Sequence, residues 1–130
     1  MTVQNRVYVG LDRPALRRLA ADATLGPAPF TAYAVTTDLR REHPNADDEE
    51  LEYLAFTDAT TAEPARVVAS ADVDAELVTD LLEPGAPVSA VRVAAAVPRR
   101  QVASFHVAGH GPDYSWYDAT ELDVVIDLLA

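Results

Sequence analysis

His106, His110 and Asp113 are the side chains of this chain best suited to holding a divalent metal or moving a proton, and Tyr114, Trp116 and Tyr117 follow directly. In a protein with no cysteine, imidazole and carboxylate are the strong ligands left for a metal ion. Two histidines four apart serve metals on a helix, where they share a face, but Gly109, Gly111 and Pro112 break a helix here. The plainer alternative is one histidine pointing outward from a strand beside another in a loop. Ser104 and His106, two apart on one strand, share a face and so resemble a nucleophile with its base, although no nucleophile-elbow sequence surrounds them. Trp116, the single tryptophan, and its tyrosine neighbours suit a pocket wall or a partner anchor, or else core packing ahead of the last helix. His106, His110, Asp113, Trp116 and Tyr117 are therefore candidate binding residues; no catalytic residue, metal ligand or cofactor is assigned.

The remaining charged clusters are less specific. Asp47, Asp48, Glu49, Glu50 and Glu52 offer oxygen ligands but lack the interleaved glycine and twelve-residue spacing of a calcium loop, so they read as a solvated helix start. Arg40 with Arg41 and Arg99 with Arg100 have the donor geometry for carboxylate or phosphate, yet suit surface ion pairs equally.

Composition narrows the partners. A net charge of -11 opposes nucleic acid, whose binding rests on cationic side chains displacing counterions, and favours basic partners or plain solvation. The apolar runs from Val91 to Val97 and from Val102 to Val107 are far below the ~20 residues that span a bilayer. Absence of cysteine excludes a disulfide framework and a thiolate nucleophile. With no secretory pattern at Met1 to Arg6, the expectation is a cytoplasmic protein.

The elements that must position these residues follow from periodicity. Arg6 to Val9 alternates as a first strand. Asp12 caps a helix to Ala23 with Pro14 in its first turn and Leu16, Leu19, Ala20 and Ala23 on one face. Phe30 to Val35 is apolar on both faces, which predicts an interior strand parallel to the first and joined to it by a right-handed βαβ crossover. Thr37 to His43 forms a short helix, and a longer one starts in the acidic run, capped by Asn45 or Asp47, with Leu51, Leu54, Ala55 and Ala59 facing the core. Strands are predicted over Arg66 to Asp72, Val91 to Val97 and Ser104 to Ala108, with Phe105 and Val107 inward and His106 on the other face. Ala75 to Leu82 suits helix or loop. A final helix starts at Asp118, which has capping-box spacing to Glu121, and docks through Leu122, Val125, Ile126 and Leu129. All ten basic residues are arginine, as GC-rich codon usage produces.

Arg6-Val7-Tyr8-Val9, Gly26-Pro27-Ala28-Pro29 with Thr31 to Thr36, Glu49-Glu50-Leu51-Glu52-Tyr53, and Trp116-Tyr117 with Glu121-Leu122 together resemble a family of small actinobacterial proteins of unknown function. The resemblance implies no activity, cofactor or catalytic residue. The expectation is one α/β domain over residues 1–130, a mixed sheet of about five strands with helices packed on it. The function to test first is a non-enzymatic protein- or ligand-binding module. Its rival is a small metal-dependent or hydrolytic enzyme using His106, His110 and Asp113. A homodimer is a further expectation, formed by edge pairing through Arg6 to Val9 or Ser104 to Ala108.

Overall fold

A computed structural model describes residues 3–62, 66–109 and 113–129. Among these residues seven strands form one sheet: β1 (Gln4–Leu11), β3 (Phe30–Ala34), β4 (Val67–Asp74), β5 (Val78–Asp80), β6 (Ala90–Val93), β8 (Val102–Ala108) and β9 (Tyr114–Asp118). Their spatial order is β5-β6-β3-β1-β4-β8-β9. The two-residue strands β2 (Thr24–Leu25) and β7 (Val97–Pro98) pair separately. The helices are α1 (Arg13–Asp22), α2 (Thr37–Glu42), α3 (Asp48–Ala62) and α4 (Leu122–Leu128).

Every pairing in the large sheet is antiparallel, which corrects the expected mixed sheet of about five strands and its βαβ crossover. Strands β1 and β3 are neighbours but run in opposite directions, with Val7 opposite Ala34 and Tyr8 opposite Tyr33. The double-sided burial that suggested parallel strands has another source: helices cover both faces of an antiparallel sheet. Helix α1 spans only about 15 Å against about 26 Å for β1. Residues 24–29 then bring the chain back, through the β2–β7 pairing, to the sheet end where β1 finished.

Alternation sorts each strand between two cores. Val7, Val9 and Leu11 of β1 join Val67, Ala69, Ala71 and Val73 of β4 and Phe105 and Val107 of β8 under Leu16 and Leu19 of α1 and Leu122 and Val125 of α4. On the reverse face Tyr8, Tyr33, Val68 and Ala90 pack under Leu39 of α2 and Leu51, Ala55 and Ala59 of α3. Full burial of the valine, leucine and phenylalanine side chains stabilises by about 1.5–3 kcal/mol each before the opposing chain entropy.

Several local signals act as expected. Asp12 accepts the Ala15 amide at 2.9 Å at the start of α1. Of the two offered caps for α3, Asp47 is used, accepting the Glu50 amide at 2.8 Å. Asp118 and Glu121 complete a capping box, the Asp118 amide donating to Glu121 Oε2 at 2.8 Å. A single 3-10 turn, Ala119–Glu121, intervenes before α4. Edge pairing through Arg6 to Val9 or Ser104 to Ala108 is overturned, because β1 and β8 lie inside the sheet, each between two bonded neighbours. The outer strands are β5 and β9.

Candidate functional site

Helix α3 packs over β3 and β1 and only partly over β4. The same face of β8 and β9 is left with a cavity of about 630 Å³ between α3 and the sheet. Its floor is built by alternation. Arg6 and Tyr8 rise from β1, Ser70 from β4, Ser104 and His106 from β8, and Tyr114 and Trp116 from β9. Glu49, Glu52, Tyr53 and Phe56, spaced three and four apart on α3, form the opposite wall, and Asp113 lies at the rim.

A buried hydrogen-bonded chain crosses the floor. Ser70 Oγ and Ser104 Oγ lie 2.6 Å apart, with the two residues 1% and 6% exposed. Ser104 Oγ is 3.3 Å from His106 Nε2. The register between β4 and β8 shifts at Ser70 and Ala71, so Ser70 faces Ser104 while the next β4 residue, Ala71, faces Val102. Such an irregularity re-aims side chains, and here it falls at the serine pair.

The imidazole of His106 packs at a tilt against Phe56, with ring centroids 4.9 Å apart and planes inclined by 57°. Burial, and then the Arg6 charge, lowers its proton affinity, which holds it neutral at pH 7. Phe56 also meets Tyr8 and Tyr114 edge-on, at 5.9 and 5.4 Å. Burial and then Glu52 push the Tyr8 phenol up, so it stays protonated. Arg6 is committed to Asp72 through two contacts, Nε to Oδ1 at 2.7 Å and Nη2 to Oδ2 at 3.1 Å. With that charge matched, Glu49, Glu52 and Asp113 give the cavity a negative balance.

Of the residues singled out in the sequence, His106, Asp113 and Trp116 line this one cavity, together with Ser104, Tyr114, Glu49 and Glu52. Tyr117 takes the other face of β9 and packs on the α1–α4 core. His110 lies outside the described residues. Among the described residues no group of three His, Cys, Asp or Glu side chains is placed to hold a metal ion. Nothing in the sequence links Glu49 and Glu52 of α3, or Arg6 and Tyr8 of β1, to β8, because that nearness is a product of register and helix docking. A local signal is a single serine between apolar neighbours in each of β4 and β8.

A family model matches residues 5–113. The chain belongs to a family of unknown function, DUF6912. The matched segment includes the floor from Arg6 to His106, the α3 wall and Asp113, whereas Tyr114, Trp116 and α4 lie beyond it. No curated protein and no solved structure matches the chain.

Proposed function

We propose that this domain is a binding module whose α3-side cavity captures a cationic group on an apolar stem, such as the side chain of a basic protein partner or an alkylammonium ligand. The observation that carries this is the joining of aromatic rings to carboxylates that, among the described residues, make no ion pair at contact distance: Tyr8, Phe56, Tyr114 and Trp116 surround a space whose rim holds Glu49, Glu52 and Asp113. A cation over such rings gains about 0.5–2 kcal/mol per favourable contact, and carboxylates at the rim add charge attraction. Trp116 and Tyr53 are 61% and 68% exposed, an arrangement that leaves large rings at the mouth for an incoming group. The overall charge of -11 favours the approach of a basic partner.

Trp116 is the only tryptophan and therefore reports directly on occupancy. Titration with hexyltrimethylammonium is expected to change its fluorescence saturably, in the range of roughly 10 µM to 1 mM, corresponding to about -7 to -4 kcal/mol. Glu52→Gln should weaken binding about two- to fivefold, the worth of one exposed charge contact. Equal response to hexanoate, or no saturable response to the ammonium, refutes the proposal.

One contact supports a second reading, the hydrolytic enzyme. A neutral imidazole 3.3 Å from a serine oxygen can accept the hydroxyl proton as an acyl group is attacked. Among the described residues, however, no carboxylate hydrogen-bonds to His106 to orient it. Ester hydrolysis above background with p-nitrophenyl acetate, abolished by Ser104→Ala, would establish this reading over simple capture; labelling by a fluorophosphonate probe at Ser104 would locate it.

A further inference from the structure

A second cavity, of about 680 Å³, opens at the end of the sheet where β1 leaves and β3 and β4 enter, beside α1. Its charge is opposite to that of the α3-side cavity. Arg13, Arg18 and Arg66 line it, and among the described residues the one carboxylate beside them is Asp12, which is already engaged as the cap of α1. Among the described residues none of these three arginines meets a carboxylate within ion-pair distance, whereas Arg6, Arg40 and Arg41 all do. Arg13 donates to the Leu129 carbonyl, which ties α1 to the end of α4 and uses one of its five donors. Arg18 reaches the Gly26 carbonyl only at 3.5 Å. Apolar surface supplies the rest of the wall, from Val9, Leu11, Leu25, Pro27 and Phe30.

We infer that this cavity is a binding site for an amphipathic organic anion, a carboxylate or phosphate on an apolar body. Guanidinium groups match such oxyanions in fork geometry, and the volume lies within the ~300–1,000 Å³ usual for small-molecule sites. The remote carboxylates that make the whole chain acidic do not override the cluster. At physiological salt their field decays over about 8 Å, so three arginines on one cavity set the local potential. The walls divide the recognition: arginine fixes the headgroup and the aliphatic and Phe30 surface takes the tail. Two sites of opposite sign thus occupy one domain, and neither depends on the other.

Isothermal titration with octanoate, and with inorganic phosphate as the headgroup alone, tests the site. Octanoate is expected to bind with one-to-one stoichiometry, and phosphate more weakly. The double variant Arg18→Gln/Arg66→Gln should weaken octanoate at least tenfold. Both arginines are solvent-exposed, so the fold survives their loss, which circular dichroism checks. Trp116→Phe, on the other cavity, should leave octanoate binding unchanged. No saturable octanoate binding, equal binding by the double variant, or loss of octanoate binding in Trp116→Phe overturns the assignment.

Discussion

The serine pair under the α3-side cavity makes a sharp prediction about coupling. Replacing Ser104 with Ala strands the Ser70 hydroxyl, which is 1% exposed and bonded to Ser104 alone among the described contacts. Leaving a buried hydroxyl unpaired costs about 1–3 kcal/mol, and water entering from the adjacent cavity places the cost near 1–2 kcal/mol. Ser70→Ala should cost less, about 0.5–1 kcal/mol, because Ser104 keeps its contact with His106. The double variant removes both partners and leaves an apolar patch, so it should cost no more than Ser104→Ala alone. The singles and the double then differ from additivity by roughly 1 kcal/mol, well above the ~0.3–0.5 kcal/mol scatter for independent sites. Urea unfolding read by circular dichroism gives the three values, with the m-value unchanged across the series. In a domain of this size the worst variant should lose about 3–8 °C in Tm. Costs that simply add, or a double variant worse than either single by their full sum, would show that the 2.6 Å contact is not an energetic unit.

The pH dependence follows from the His106 environment. Its folded-state proton affinity lies below the ordinary value of 6.5, so the folded protein binds fewer protons than the unfolded chain as pH falls through that region. Stability is therefore full above about pH 6.5 and declines with acidification towards the folded pKa; urea midpoints at pH 7.5 and 5.5 should show this decline shrinking in His106→Gln. Thr36→Ala should cost about 1–2 kcal/mol, since Thr36 Oγ1 accepts the Leu39 amide at 3.1 Å as the cap of α2 and donates to the Val88 carbonyl at 2.7 Å. Phe105→Ala should cost about 3–5 kcal/mol, because Phe105 is the largest fully buried side chain and sits under α4; thermal unfolding that leaves Tm within 2 °C, about half a kcal/mol, contradicts its place in the core.

Local chemistry was legible in the sequence to the extent that it is decided within one or two turns of chain. Asp12, Asp47 and the Asp118–Glu121 pair announced helix starts because a cap bonds amides two or three residues away. Phe105 and Val107 against His106 could be sorted to opposite faces because a strand alternates regardless of its neighbours. Strand direction could not be read the same way. An apolar run such as Phe30 to Ala34 records that both its faces are covered and says nothing of which end its neighbour starts from. Strands β5 and β9 were hidden for a related reason: their pairing is fixed by β6 and β8, β5 is only three residues long, and β9 carries aromatic rings on both faces instead of an apolar–polar alternation. The candidate site was half-visible. His106, Asp113 and Trp116 are close in sequence, but Arg6 with Asp72, and Ser70 with Ser104, meet only through registers that join residues 66 and 34 positions apart.

The placement of both cavities has one geometric origin. A seven-stranded sheet is wider than the helices available to cover it: a single long helix, α3, lies over β3 and β1 on one face, and α1 with α4 covers the other. Where coverage thins at β4 and runs out beyond it, side chains on the α3 face need not be apolar, and there the strands carry Ser70, Ser104 and His106, while alanine, phenylalanine and valine flank them on the reverse side. Where α1 begins, at the sheet end beside Leu11, the first turn must meet solvent and the arginines of α1 join Arg66 at the mouth of the second space. Polar residues buried without purpose cost stability, since each must find a partner in a region where apolar packing would serve. A hydroxyl–hydroxyl–imidazole chain where valine or leucine could fill the gap is what the proposed recognition surface calls for, and the coupling measured in the Ser70 and Ser104 variants gives its energetic cost.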